Sequence, residues 1–374
     1  MRDMRTIVVG DLHLAKDTPK TVSAALKGLL DAHPASRLVV TGDLFDFSAD
    51  HPRSSLDDTF GAHPDAKRAL AHHLDRDGEL WLVGGNHDAE VAAPDFAARL
   101  GRAIGARHHF RIRTSPWFMR LGGVHFEHGH LFDADNAPAH PLVQGAPSLG
   151  VRFVREFIAK TGAHAYLNRN EQQPLELFLS TFKLYGKRAP FVIYQYFHTA
   201  FSALRASGPS YGRGEEERGE DLVQAFSRTT GMPEDEVRKL ASLRATPTLE
   251  SFRKTFARLY LDRVLATVAI AGGATTFAAG ARKTGAALMG LGAIGLGVSW
   301  GFGRDRYRGA VHESLRQGAA DVRTATGCDL VVFGHTHKTS DEDGYANTGS
   351  FAFPQGPKRP FLEIEGRRAV RRHL

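Results

Sequence analysis

Short apolar runs punctuate the first third of the chain, and each closes in a polar turn that contains glycine. Thr6–Val9, Arg37–Val40 and Leu80–Val83 are apolar at consecutive rather than alternate positions, as in strands buried on both faces. Between them Thr18–His33 and Ala66–Arg76 have helical spacing, with Ala25, Leu26, Leu29 and Leu30 on one face. Gly123–Glu127 predicts a fourth strand. The pattern returns near the C-terminus, where Asp329–Phe333 reads as a strand and Gly344–Phe353 and Pro360–Glu365 as closing strands. Strands alternating with helices predict an α/β layer architecture whose polar residues gather where the strands end.

Residues 136–326 break that rhythm. Phe153–Phe157, Leu175–Leu184 and Phe191–Leu204 have helical spacing and many aromatics. Gly208–Gly219 reads as a Gly- and Glu-rich loop, and Asp221–Leu243 and Leu249–Arg263 resume as helices. The expected organisation is therefore one α/β domain over residues 1–135 and 327–374, with a helical insertion over residues 136–326 that caps the site. Inside the insertion, residues 264–303 form an apolar hairpin. Val264–Ala281 and Ala286–Gly303 are two uncharged runs of 18 residues separated by Arg282-Lys283-Thr284-Gly285. Each is at the low end of the ~17–25 residues that cross a bilayer.

Arg253, Lys254, Arg258 and Arg263 precede the hairpin, and Arg304, Arg306, Arg308 and Arg316 follow it. By the positive-inside rule such flanks keep both ends in the cytoplasm. Gly297-x-x-x-Gly301 would let the two helices approach closely. Three placements compete: a hairpin that enters the membrane, a buried or dimer-forming soluble hairpin, and a shallow interfacial element.

Composition narrows the class. Of 374 residues, 42% are hydrophobic and 24% charged, which excludes a disordered, collagenous or disulfide-stapled chain. The net charge of +7 suits an anionic partner without choosing among a phosphorylated substrate, a nucleic acid and an acidic membrane surface. Cys328 is the lone cysteine, so no intrachain disulfide forms and a reducing compartment is expected. The first residues enter a β-branched run without an apolar leader, which points to the cytoplasm.

The chemistry sits at the strand ends. In order come Gly10-Asp11-Leu12-His13, Gly42-Asp43-Leu44-Phe45-Asp46, Gly85-Asn86-His87-Asp88, His128-Gly129-His130 and Gly334-His335-Thr336-His337. Successive strands thus deliver Asp, Asn and His to one sheet edge. Carboxylate and amide oxygens mixed with imidazole nitrogens suit Mn²⁺, Fe²⁺ or Zn²⁺ better than a thiolate-rich structural zinc. Without cations, Asp11, Asp43 and Asp46 would repel one another.

These five blocks, in this order, resemble the calcineurin-like binuclear metallophosphoesterases. The resemblance covers about residues 5–135 and 327–365 and implies a four-layer α/β sandwich with a large helical insertion. It implies that Asp11, His13 and His337 hold one divalent metal ion and that Asn86, His128 and His335 hold a second, with Asp43 bridging. A bridging water, its pKa lowered by two ions about 3.5–4 Å apart, would attack phosphorus as hydroxide. His87 would protonate the leaving alkoxide or hold phosphoryl oxygens, and Asp88 would orient its imidazole. Asp46 stays open between an outer partner and a helix cap, and His130 between an outer partner and a phosphate contact.

Within the family the chain is similar to the cytoplasmic UDP-diacylglucosamine pyrophosphatases of lipid A synthesis, which also place a helical insertion over the site. It departs from them where His87 and His130 stand in place of Arg and Asp. The expectation is a hydrolase of a lipid-linked or membrane-proximal phosphate or diphosphate, working at the cytoplasmic face of the inner membrane. A nuclease or nucleotide phosphodiesterase is the alternative, for which the basic tail Arg367–Arg372 would contact a phosphate backbone. A non-catalytic binding module should lack ligands, and here the full set is present.

Overall fold

In chain order the strands are β1 (Thr6–Val9), β2 (Arg37–Thr41), β3 (Glu79–Val83), β4 (Ile112–Ser115), β5 (Phe118–Leu121), β6 (Val124–Glu127), β7 (Leu330–Phe333), β8 (Thr339–Glu342), β9 (Tyr345–Thr348), β10 (Pro360–Glu365) and β11 (Arg368–His373). They form a six-stranded sheet ordered β11-β10-β1-β2-β3-β4 and a five-stranded sheet ordered β5-β6-β7-β9-β8. β1 to β4 run parallel, as do β6, β7 and β9, while β10, β11, β5 and β8 pair antiparallel. This is a computed structural model, and it describes residues 4–50, 53–143, 147–162, 174–303 and 306–374. Two units make up the chain: Met1–Arg155 with Gly212–Pro247 and Val311–Leu374, and Glu156–Tyr211 with Thr248–Ala310.

The consecutive apolar residues of the strands split by parity into two cores. Val8, Val39, Trp81 and Val83 pack against Val124, Phe126, Leu330 and Val332 between the sheets. Their neighbours Ile7, Val9, Leu38, Val40, Leu80 and Leu82 turn to the helices Lys20–Ala32 and Pro64–Asp75. On the far side Val331 and Phe333 meet Leu315, Ala319 and Val322 of the helix Ala310–Thr326. The layers are therefore helix, sheet, sheet and helix, the four-layer sandwich the resemblance implied.

Four strands escaped the sequence reading. β8 is Thr-Ser-Asp-Glu at an exposed edge, and β11 is rich in arginine, so neither carries an apolar signal. β4 and β5, Ile-Arg-Thr-Ser and Phe-Met-Arg-Leu, are each interrupted by an arginine and so show no apolar run. The basic tail makes ion pairs and hydrogen bonds within the fold. Arg371 pairs with Asp341 and donates to the carbonyls of Ser340 and Asn347, Arg372 meets Glu363 and Glu365, and Arg367 meets Asp329. Arg371 is largely buried by its pairings, while Arg367 and Arg372 keep exposed guanidinium groups beside their acidic partners.

The middle of the chain also differs in detail. Half of the expected loop Gly208–Gly219 belongs to the helix Arg213–Thr230. Gly231 and Pro233 then end that helix and start Glu234–Ser242, which splits the helix expected over Asp221–Leu243. Both helices, and Ala310–Thr326, lie largely in the unit that carries the sheets.

In the second unit the apolar stretch forms a hairpin of the helices Leu261–Ala278 and Arg282–Gly301. Its seam is made at Gly273, Gly285 and Gly292, where an added Cβ would fall 2.7 Å from Gly285 O, 2.6 Å from Gly273 O and 2.6 Å from Ala266 O. Gly297 and Gly301, expected to serve this purpose, face open space. Arg304 of the expected basic flank lies outside the described residues. Phe126 is fully buried in the inter-sheet core, so Phe126→Ala should destabilise the first unit by about 3–5 kcal/mol. Urea unfolding followed by tryptophan fluorescence measures it.

Candidate metal centre

The C-terminal ends of β1, β2 and β3 in one sheet meet those of β6 and β7 in the other, and the turns that follow carry the polar blocks. The backbone there is unusual. Asp11, His13, Asp43, His335 and His337 all have positive φ, between 47° and 70°. Each such residue costs about 1–3 kcal/mol, and strain of this kind collects where geometry serves a site. Gly85 follows the same logic, because a Cβ there would strike the Asp43 carboxylate.

Three groups of side chains converge closely enough to share an ion among the described residues: Asp11, His13 and His337; Asp11, Asp43 and His128; and His13, Asp46 and His87. In the first, His13 Nε2 and His337 Nε2 stand 3.1 Å apart, and Asp11 Oδ1 is 3.3 Å from His337 Nε2 and 3.8 Å from His13 Nε2. Among the described residues Asp11 Oδ1 is nevertheless buried without a directed hydrogen bond. In the second, His128 donates from Nδ1 to Thr41 O at 2.8 Å, which fixes its tautomer and turns Nε2 inward. That Nε2 lies 3.2 Å from Asp43 Oδ2 and 3.0 Å from Asn86 Oδ1. Asp43 Oδ2 is also 3.9 Å from His13 Nε2, so this carboxylate stands between the two groups. Buried, strained and converging oxygen and nitrogen donors fit divalent cations.

His335 reaches the centre by another route. Its backbone N–H donates to Asp11 Oδ2, and its ring lies 5.1 Å from that of His128. Nε2 donates to Asp133 Oδ2 at 2.9 Å, and His335 belongs to none of the three convergent groups. Asp133 also accepts from Asn136 Nδ2 at 2.7 Å, and Asn136 Oδ1 accepts from Asn86 Nδ2 at 3.2 Å. Asp133 and Asn136 thus tie Asn86 and His335 together. They lie just past the His-Gly-His block, and only their closeness to it could have marked them.

The role expected of Asp88 falls to Asp46. His87 donates from Nδ1 to Asp46 Oδ1 at 2.8 Å. Asp46 also accepts from Ala49 N, so it caps a turn and orients His87 at once. Asp88 points away, accepting from Gly85 N at 2.8 Å and Phe45 N at 3.3 Å to staple two turns. Burial and the nearby Asp43 charge push its carboxyl up to about 6.

Charge sets the remaining values. Burial opposes ionisation throughout, yet His128, His87 and His13 hold Asp43 well below the carboxylate range. Burial would lower His128, but Asp43 and Asp11 raise it to about 9. Cation binding must displace that proton, so affinity rises with pH. His87 is likewise raised, the carboxylates of Asp46 and Asp43 outweighing its burial. His130 is driven well down by burial and by His128 and His335, and among the described residues its Nδ1 has no partner. His125 is buried under Phe118 and bonded to Glu127 Oε2 at 2.9 Å.

The family model of the calcineurin-like phosphoesterases matches residues 4–205, more than half of the chain, and the chain belongs to that family. No curated protein matches it. The protein is a metal-dependent hydrolase of phosphoester bonds. His335 and His337 lie beyond the matched stretch and join the centre through Asp11 and His13.

Two outcomes follow. Asp46→Asn removes the charge that keeps His87 protonated, so its pKa falls. With an alkyl phosphoester, whose leaving oxygen needs a proton, the alkaline limb of kcat/KM should move to lower pH. Asp133→Ala should weaken Mn²⁺ binding about 10–100-fold, and Asp133→Asn less, as read by calorimetry.

Proposed function

We propose that this phosphoesterase cleaves a phosphate or diphosphate ester carried by a lipid or held close to a membrane, at the cytoplasmic face. The observation that carries the reading is the apolar helical hairpin, charged only near its base and at its turn and exposed along its length, on the same chain as the metal centre. Asp11, His13 and His337 would hold one divalent cation and Asn86, His128 and His335 the other, with Asp43 shared between the two groups. The mixed donor set suits Mn²⁺, Fe²⁺ or Zn²⁺. Bound there, two cations supply a water of lowered pKa and neutralise the charge of an in-line displacement.

The side chains supply the rest. His87 offers a proton at Nε2 to the leaving oxygen while Asp46 holds Nδ1. His130, uncharged and buried beside His128, lines the centre as a neutral group. Asp88 and the glycines keep the turns that carry Asp43 and His87 in register.

The test is Mn²⁺-dependent release from a panel of bis-p-nitrophenyl phosphate, UDP-linked lipids, phospholipid phosphates and single-stranded DNA. Turnover should favour the lipid substrates by at least tenfold in kcat/KM, and preference for DNA would overturn the reading. Asp43→Asn keeps the left-handed backbone and the acceptor for His87 N, so it should stay folded by circular dichroism. Its turnover should fall by more than ~100-fold.

A further inference from the structure

Between its base and its turn the hairpin Leu261–Gly301 presents apolar residues outward on both arms. In the second arm only Gly285, Gly292 and Ser299 are buried, all on the seam with the first arm. Leu265, Val268, Leu291, Ile294 and Val298 are each more than half exposed. A helix that packs on protein carries one apolar stripe and a polar remainder, whereas a helix apolar all round belongs in a core or a bilayer. A second copy of the chain would cover one face and leave the others in water.

Polar groups inside the hairpin are satisfied from within. Thr267 Oγ1 donates to Arg263 O, and Thr275 and Thr276 both donate to Gly272 O. Ser299 Oγ accepts from Arg263 Nε at 2.9 Å, and Arg263 Nη2 donates to Gly303 O at 2.7 Å. Hydrocarbon offers no partner to such groups, so internal pairing is what a spanning segment requires. The seam needs no hydrophobic drive either, because glycines bring the two backbones into direct contact.

The base of the hairpin differs in kind. Arg263 and Arg306 stack on Tyr260 at 4.6 and 4.7 Å, and Arg258 stacks on Tyr307 at 4.4 Å. Arg306 also grips both Asp262 oxygens, at 3.0 and 3.1 Å. Trp300 and Phe302 project beside this collar, 57% and 72% exposed. Tyrosine, tryptophan and arginine together mark the level of lipid headgroups, and the cations complement anionic lipid. At the opposite end sit Arg282 and Lys283, exposed at the turn. Without their charged ends the arms run over Val264–Ala278 and Thr284–Gly301, 15 and 18 residues, or about 22 and 27 Å at 1.5 Å per residue, against ~30 Å of bilayer hydrocarbon.

We infer that Leu261–Gly301 spans a lipid bilayer as a transmembrane helical hairpin, with the Tyr260–Arg306 collar at one headgroup layer and Arg282-Lys283 at the other. The segments before Leu261 and after Gly301 then share one side. The inference deepens the membrane part of the proposed function, and its test reads topology whatever the substrate.

Cys328 is buried and is the lone cysteine, so Cys328→Ser gives a clean background. In that background Thr284→Cys or Lys283→Cys reports the tip, and Gln224→Cys or Asp235→Cys reports the first unit. Each full-length variant is first checked for Mn²⁺-dependent hydrolysis of bis-p-nitrophenyl phosphate. A membrane-impermeant maleimide is then added to inverted vesicles and to spheroplasts of a bacterial host. In inverted vesicles the first-unit reporters should label at least tenfold faster than the tip, in spheroplasts the order should reverse, and detergent should equalise them. Equal labelling of both positions in inverted vesicles overturns the inference in favour of a surface-lying hairpin. A tip that labels from neither side until detergent is added overturns it in favour of a hairpin that only dips. Recovery as a detergent-free soluble dimer assigns the apolar faces to a second copy. Lipid-phosphate turnover by a protein that fails this test would leave the proposed substrate standing without the span.

Discussion

Four carboxylates, Asp11, Asp43, Asp46 and Asp88, meet out of water where two sheets end, each 4% exposed or less. Like charges at such a place repel strongly because little solvent screens them. Three things hold them there. Imidazoles of His13, His87 and His128 interleave with the acids, Asp88 is pushed toward its neutral form, and backbone amides of Gly85, His87 and His335 donate inward. The packed core between the sheets supplies the rigidity against which this tension is held. The left-handed residues and the crowded glycines express the same tension in the backbone.

Much of this was legible in the sequence, for a definite reason. Strands buried on both faces must be apolar at every position, so Thr6–Val9, Arg37–Val40 and Leu80–Val83 stood out, and so did the polar blocks that ended them. Hairpin arms apolar all round were equally plain. Edge strands were not, because β8 and β11 need only backbone pairing and tolerate acids and arginines. The donor residues were readable as types in sequence, but their partners were not. That Asp46 and not Asp88 holds His87 depends on where a turn after β2 lies relative to a turn after β3. Asp133 and Asn136 lie on no repeating pattern, and nothing short of tertiary structure joins them to Asn86 and His335.

The two units solve different problems with the same residue. Around the metal centre glycine makes room for a carboxylate, as at Gly85, or accepts a positive φ, as Gly42 does at 87°. In the hairpin it makes room for another backbone. Arginine is divided in the same way. On β11 its charge is spent on carboxylates and carbonyls of the sheet, while at the hairpin base it lies on aromatic rings. A surplus of positive charge therefore says less about an anionic partner than the places where it is left unpaired.

The sheet order has a consequence for how the protein is made. β1 lies between β2 and β10, so a strand from the first ten residues waits for one that ends at Glu365. Asp11 waits likewise for His335 and His337. Synthesis runs from the N-terminus, so the hairpin leaves the ribosome before the centre has its last donors. A nascent chain thus meets its surroundings through Leu261–Gly301 while it is still chemically silent. A product truncated before His335 keeps the hairpin and lacks both the closing strand and two of the imidazoles.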